Sequence, residues 1–63
     1  MKNNTEELRK AKWLRQEDLA AVLGVTRQTV IAIENNKYDP TLELAMRLSA
    51  FFGVSVNDLF TIE

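Results

Sequence analysis

The sequence predicts a small all-α domain of five short helices, and two observations lead to this prediction. Apolar side chains recur at three- and four-residue spacing in successive stretches, and each stretch is bounded by residues that start or stop helices. No stretch alternates apolar and polar residues as a half-buried strand does. Only the closing FTIE could form a short C-terminal strand, and it would not be stable alone. The 63 residues make one domain, 1–63.

The first two helices have clear start and stop signals. The first is expected at about residues 5–12, with Asn4 as its N-cap and Glu7 three positions further on. The second is expected at 16–23, with acidic residues in the first turn, where the helix dipole favours them, and with Gly24 as a left-handed residue after its end. The side chains expected to face the core are Leu8, Ala11, Leu14, Leu19, Ala20 and Leu23.

The third helix is expected at 27–34, capped by Thr26 and burying Val30 and Ile33. The NNKYDP that follows is a loop, because Asn tolerates positive φ and proline keeps the residue before it extended.

The fourth helix is the longest, about 42–52, with Thr41 as its cap and Gly53 at its end. Its inward side chains are expected to be Leu44, Ala45, Leu48 and Phe52. The SVND that begins at Ser55 is a capping box that opens a last short helix. Leu59 and Phe60 are expected to return from this helix to the core.

The composition excludes several classes of function. There is no Cys and no His, which removes disulfides, thiolate nucleophiles, imidazole bases and the commonest zinc ligands. No carboxylate pair lies in a recognisable acid–base context, so we expect no enzyme activity, no metal site and no cofactor. The N-terminal residues lack the apolar segment of an export signal, and no apolar run approaches a membrane span, so a cytoplasmic protein is expected.

The charge is unevenly distributed along the chain. Residues 1–37 hold seven basic and five acidic side chains, a balance of +2, whereas residues 38–63 hold one basic and four acidic side chains, a balance of −3. A nucleic acid should therefore approach the N-terminal half.

The joint between the second and third helices carries the functional signal. Only Gly24, Val25 and Thr26 separate them, and a three-residue joint with Gly at its first position makes two short helices cross at a large angle. One helix can then rest on the DNA while the other projects its N-terminal end into the major groove. This is the helix-turn-helix arrangement.

Over about residues 5–60, the chain resembles the Cro/repressor-type (XRE-like) helix-turn-helix family, in particular its minimal single-domain members. The resemblance implies a compact five-helix, lambda-repressor-like DNA-binding domain, with the helix-turn-helix at about 16–35. It rests on a spaced set of residues, namely Arg9, Gln16, Leu19, Ala20, Gly24, Val25, Thr26, Val30, Ile33, Glu34, Asn35, Pro40 and Leu44.

Base readout is expected from the outward face of the third helix. Helical spacing leaves Arg27, Gln28, Ile31 and Ala32 on or near that face. Arg and Gln can pair bidentately with guanine and adenine, and small apolar groups can contact a thymine methyl. The resemblance assigns readout to Arg27, Gln28 and Ala32. Ile31 would contact either thymine or the sugar–phosphate edge. The alternative is a solvated first turn with stray apolar residues.

Phosphate contacts are expected at the ends of the two helices, where they give affinity and register but no sequence choice. The family grips the DNA backbone with a Gln at the start of the second helix, where free backbone N–H groups attract a phosphate. The candidates are Arg15, Gln16, Thr26, Thr29, Asn35, Asn36 and Lys37. The alternative is that these residues are ordinary polar caps and loop residues.

The resemblance also implies a structural ion pair between Arg9 and Glu34, which would tie the first helix to the end of the third. The alternative is that Arg9 contacts a phosphate. If the pair forms, loss of either partner should destabilise the fold by leaving a poorly solvated charge.

Two positions depart from the family pattern of Gly and then Ser or Thr around the start of the second helix. Arg15 replaces a good N-cap, at a cost of about 1 kcal/mol. Trp13 is expected to be unable to adopt the left-handed conformation of Gly, so the first loop should differ in geometry. Trp13 could cover the core, contact the DNA backbone or remain exposed. Asn36, where Gly is common, can still adopt positive φ.

Members of the family generally bind two-fold operators as dimers, and a dimer surface is expected within residues 46–62. Its candidates are Met46, Phe51, Leu59, Phe60 and Ile62. The alternative is that Phe51 and Leu59 complete the monomer core.

The resemblance implies a sequence-specific transcriptional regulator, most simply a homodimeric repressor on an inverted-repeat operator, of prokaryotic or phage type. No small-molecule ligand is expected. The alternatives are an antitoxin or immunity-control component of a two-gene module, and a protein-interaction adaptor that does not bind DNA.

Overall fold

Five helices and one two-stranded sheet form the fold in a computed structural model, which describes residues 2–62. Met1 and Glu63, included in the expected domain 1–63, lie outside the described residues. The elements in chain order are β1 (Lys2–Asn3), α1 (Thr5–Ala11), α2 (Gln16–Leu23), α3 (Arg27–Glu34), α4 (Leu42–Phe52), α5 (Val56–Leu59) and β2 (Phe60–Thr61).

The core is assembled from one face of each helix. Leu8, Val25, Phe51 and Phe52 lie at its edge, partly buried. Ala11 is exposed, so its expected place in the core is wrong. The inward face of α1 is centred on Thr5 to Arg9, and Ala11 lies about a third of a turn away from it. The buried apolar side chains are Leu19, Ala20, Leu23, Val30, Ile33, Leu44, Ala45, Leu48, Leu59 and Phe60.

Three of the predicted N-caps are confirmed. The hydroxyl oxygens of Thr26, Thr41 and Ser55 each accept a hydrogen bond from the backbone N–H three residues on. Asn4 occupies the predicted N-cap position of α1, but its side chain makes no capping bond and donates instead to the carbonyl oxygen of Asp58 over 3.0 Å. The side-chain oxygen of Asn3 accepts the N–H of Thr5 in its place.

The helices α1, α2, α3 and α4 all end at a residue with positive φ: Trp13 (60°), Gly24 (71°), Asn36 (58°) and Gly53 (69°). After Trp13, Gly24 and Asn36, the N–H of the next residue bonds to the carbonyl five positions before it, over 3.2, 3.0 and 2.8 Å. The N–H of the residue after Gly53 makes the same type of bond at the end of α4. This bond defines the Schellman motif, which satisfies carbonyl groups left open at a helix end.

The geometry of Trp13 corrects the sequence-based expectation. Trp13 adopts the left-handed conformation that was thought to be closed to it. Its N–H bonds to the carbonyl of Lys10 and the N–H of Leu14 bonds to the carbonyl of Arg9, so the closing turn of α1 imposes the positive φ. Such a conformation costs a non-glycine residue about 1–2 kcal/mol. The first loop therefore keeps the turn that Gly would form.

The two short strands bring the ends of the described chain together. Lys2 pairs with Thr61 and Asn3 with Phe60 in an antiparallel register. The expected C-terminal strand is thus present as Phe60–Thr61, and its partner strand was not foreseen. The side chain of Asn3 also donates to the carbonyl of Ile33 over 2.9 Å, which ties β1 to the end of α3.

Candidate DNA-binding surface

The turn Gly24–Thr26 sets α3 across α2 and fixes which of its faces is open. Val30 and Ile33 are 0% and 1% exposed and anchor the inner face. Arg27 and Gln28 are exposed in the first turn of α3. Ile31 and Ala32 are half-buried further along the helix. The four residues predicted for base readout therefore share one helix, with the long polar side chains at its N-terminal end.

An ion pair anchors the end of α3 to α1. The Nε of Arg9 lies 2.7 Å from Oε2 of Glu34, and its Nη2 lies 3.2 Å from Oε1. The third nitrogen, Nη1, donates to the carbonyl of Leu14 over 2.9 Å. The two charged side chains are only 9% and 1% exposed, and the hydrogen bond to Glu34 raises the pKa of Arg9 against the opposing effect of burial. The pair expected from the sequence is present.

The carboxylate of Glu34 also holds Gln16, the first residue of α2. The side-chain Nε2 of Gln16 donates to Oε1 of Glu34 over 3.1 Å, and its Oε1 accepts a longer bond from Nη2 of Arg27 at 3.5 Å. A primary amide has two N–H donors, and this arrangement leaves the second one for a phosphate. A continuous chain of side chains therefore joins Arg9, Glu34, Gln16 and Arg27.

The two threonines of the surface are bonded to each other. The hydroxyl oxygens of Thr26 and Thr29 lie 3.0 Å apart, and Thr26 Oγ1 also accepts the backbone N–H of Thr29. Thr26 is exposed and Thr29 half-buried. These contacts stabilise the start of α3, so an approaching phosphate would share hydroxyl groups that already have partners.

The segment after α3 is exposed at Asn35, Asn36 and Lys37. The left-handed conformation of Asn36 confirms the expectation of positive φ, and its side-chain oxygen accepts from Nδ2 of Asn3 over 2.8 Å. Lys37 forms no ion pair with any residue from 2 to 62. The charge of its ammonium group is therefore not balanced by an ion pair within the described residues.

Arg15, in contrast, is paired. Its Nε lies 3.2 Å from Oδ2 of Asp18 and 3.5 Å from Oε1 of Glu17. Asp18 also accepts the backbone N–H of Arg15 over 2.9 Å, so the side chain at the third helical position replaces part of the missing N-cap. The hydrogen bond from Arg15 lowers the pKa of Asp18. These exposed partners must separate if Arg15 is to bind a phosphate.

The residues expected at a dimer surface fall into three groups by exposure. Met46 and Ile62 are 58% and 88% exposed. Leu59 and Phe60 are buried in the monomer, because α5 is a single turn that directs both inward, so they are not part of an exposed surface. Phe51 is half-buried against the core. Sequence reasoning missed Leu42, which is 74% exposed one turn before Met46 on α4 and belongs to the same helical face.

The described residues contain no cluster of three or more Cys, His, Asp or Glu side chains that could hold a metal ion. Within residues 2–62, none of the helices combines the length and the apolar character needed to cross a membrane.

The fold and the α2–α3 geometry define a helix-turn-helix protein, and sequence comparison agrees. The family model described as helix-turn-helix matches residues 6–59. The chain belongs to this family, in its Cro/repressor-type (XRE-like) branch.

Two relatives of similar chain length, one archaeal and one bacterial, and a longer one from Vibrio cholerae match this chain. The chain is 54% identical over 63 residues to an uncharacterized HTH-type transcriptional regulator of Methanocaldococcus jannaschii, covering 100% of this chain and 96% of that protein. It is 44% identical to the uncharacterized HTH-type transcriptional regulator YgzD of Bacillus subtilis, again covering 100% and 96%. Over 53 residues it is 36% identical to the cryptic phage CTXphi transcriptional repressor RstR of Vibrio cholerae, covering 84% of this chain and 48% of that protein.

Proposed function

We propose that this protein is a sequence-specific, double-stranded DNA-binding regulator of transcription that acts as a homodimeric repressor on an inverted-repeat operator. The observation that carries the proposal is the linked placement of Gln16 and Arg27 at the N-terminal ends of α2 and α3, with Gln28 exposed beside them. Two helix starts held together in this way suit one phosphate contact and adjacent base contacts.

Arg27 and Gln28 would read bases, because both are exposed and both have side chains that pair bidentately with purines. Ala32 would approach a thymine methyl. Ile31 is half-buried, which favours contact with the edge of the groove through the part of its side chain that remains exposed.

Gln16 and Lys37 would bind phosphates on the two sides of α3. Gln16 has one uncommitted amide N–H, and Lys37 has no ion-pair partner among residues 2–62. Asn35 and Asn36 would add hydrogen bonds beside Lys37, while Thr26, Thr29 and Arg15 would make secondary contacts because each already has a partner. All these contacts act on any sequence.

Dimerisation would use the exposed apolar residues of the C-terminal half, Met46 and Ile62, together with Leu42. A surface in this half, whose charge balance is negative, leaves the basic N-terminal half to the DNA. The two α3 helices of a dimer would need to lie about 34 Å apart to enter successive major grooves. A regulator that binds promoters in this way would act in the cytoplasm.

The test is selection of bound duplexes from a random DNA pool by the purified protein at near-physiological salt. The expected result is an inverted repeat with half-site centres about 10 base pairs apart. An unenriched pool, obtained with folded protein, would contradict the proposal and favour a protein-interaction adaptor. Enrichment of a single half-site would retain DNA binding and contradict the two-fold operator.

A further inference from the structure

Trp13 is the only tryptophan of the chain, and its side chain is 94% exposed. A large amphipathic ring in this position contributes almost nothing to the monomer core, so stability of the monomer does not explain it. Of the three possibilities open at the level of sequence, covering the core is thus excluded.

The other helix ends show how unusual this residue is. The Schellman turns that close α2, α3 and α4 have Gly24, Asn36 and Gly53 at the left-handed position, residue types that adopt positive φ readily. The turn that closes α1 has Trp13 instead, with a similar φ and the same pair of hydrogen bonds as the turns at Gly24 and Asn36. A strained residue that gains no packing in the free protein points to a partner.

The backbone that follows Trp13 is tied to the residues of the candidate DNA surface. The guanidinium of Arg9 contacts both the carbonyl of Leu14, which directly follows Trp13, and the carboxylate of Glu34. Glu34 in turn holds Gln16, three residues after Trp13. The backbone on the C-terminal side of the indole is therefore tied to the side chains that would contact DNA.

The charge around Trp13 favours a polyanion as this partner. Residues 8–16 contain Arg9, Lys10, Lys12 and Arg15, of which the first two pair with Glu34 and Glu6, and Arg15 pairs with Glu17 and Asp18. Of these, Lys12 makes no ion pair with a residue from 2 to 62, and its ammonium lies 5.5 Å from the ring centroid of Phe51. A second copy of this basic segment would be repelled, whereas a phosphate backbone would be attracted.

We propose that Trp13 is a DNA-backbone contact at the edge of each half-site. Its indole N–H would donate to a phosphate oxygen, and its ring would lie against a deoxyribose. The contact would be independent of base sequence and would add affinity to the contacts made by α2 and α3. This inference rests on the proposed DNA-binding function.

The fluorescence of Trp13 tests the inference directly, since no other tryptophan contributes. The protein is titrated with the duplex recovered by selection while the anisotropy of labelled DNA and the quenching of Trp13 by acrylamide are recorded together. The expected result is protection of Trp13 at the same DNA concentration that gives binding. Full binding with unchanged quenching would overturn the inference and leave the DNA-binding function intact. Absence of binding to any duplex would overturn both.

Three variants separate the indole from the turn. W13G and W13N keep the turn, since both residue types accept positive φ, and each should weaken binding about tenfold on specific and random duplexes alike. W13F should recover part of this loss, because it keeps the ring but not the N–H. Wild-type affinity of folded W13G and W13N would overturn the inference. So would a change of Trp13 emission with protein concentration in the absence of DNA, which would place the residue in a protein–protein interface.

Discussion

Glu34 accepts a hydrogen bond from the side chain of Gln16 over 3.1 Å while it also binds Arg9. One carboxylate thus joins the buried ion pair to a residue proposed to contact DNA. The ion pair therefore has two roles. It stabilises the contact between α1 and α3, and it orients the side-chain amide of Gln16 at the start of α2. An Arg9 that contacted a phosphate would not form this pair.

Replacing Glu34 with Ala should lower the free energy of unfolding by about 3 kcal/mol, because it leaves the Arg9 charge buried without a partner. Urea denaturation measures the loss. The control is E43A, which breaks the exposed Glu43–Arg47 pair and should cost less than about 1 kcal/mol. The double variant R9L/E34L should be more stable than E34A. Equal losses in the free energy of unfolding for E34A and E43A would show that burial does not determine how much the Arg9–Glu34 pair contributes to stability.

Replacing Arg27 with Ala should remove a base contact. Binding to the selected duplex should weaken by about 1–3 kcal/mol, and base preference should relax at one position of each half-site. Binding to random duplexes should change much less. Repeating the duplex selection with R27A and comparing the recovered sites with those of the wild type measures both effects.

Lys37 provides the matched comparison for Arg27, since it is also an exposed cation, but lies after α3. K37A should weaken all duplexes alike and reduce the slope of log affinity against log salt concentration by about one. Equal behaviour of R27A and K37A on selected and random DNA would contradict the division between base readout and phosphate binding.

Stability at acidic pH should depend on Asp18. The hydrogen bonds from Arg15 lower the pKa of Asp18 in the folded protein below its value in the unfolded chain, so the stabilisation is present above the unfolded pKa. It is lost as the pH falls through the folded pKa. D18N should therefore lower stability at neutral pH and make the acid part of the stability curve less steep. Thermal unfolding from neutral pH to about pH 2 measures the difference, and parallel curves for D18N and the wild type would contradict this role.

Replacing Met46 with Glu should shift the protein from dimer to monomer, because a charge would enter the proposed apolar interface. Sedimentation equilibrium measures the dimer dissociation constant. V22E is the control: Val22 is 52% exposed, close to the 58% of Met46, but lies on α2. Equal dissociation of the two variants, or a wild-type protein that is monomeric at all concentrations tested, would contradict the proposed interface.

The bounds of α2, α3 and α4 follow from the sequence because their signals are local. Thr26 and Thr41 cap the helix that follows them, and Gly24 and Gly53 end the helix that precedes them. Each of these residues acts within four or five positions, which is the range over which sequence patterns are informative. The Arg9–Glu34 pair was also foreseen, through the family resemblance.

The features that were missed depend on contacts between distant residues. The pairing of Lys2 with Thr61 joins strands too short to show a pattern of their own. Leu59 and Phe60 were correctly expected in the core, and only their additional assignment to a dimer surface was wrong, because the single turn of α5 directs both inward. The φ of Trp13 is set by hydrogen bonds that outweigh its intrinsic preference, although the use of Gly at this position in the family was a signal for it. The contact between Gln16 and Glu34 requires α2 and α3 to be in place.

The four Schellman turns have a consequence for the handedness of the chain. Positive φ is the conformation that D-amino acids prefer. At Trp13, Gly24, Asn36 and Gly53, a D-residue would therefore fit the backbone better than an L-residue. A chemically synthesised chain with D-alanine at Gly53 would keep the turn, because D-residues prefer the φ of 69° found there, and would restrict the unfolded chain more than glycine does. Gly53, which is not among the residues proposed to contact DNA, is thus a site at which chirality can be changed to strengthen the fold.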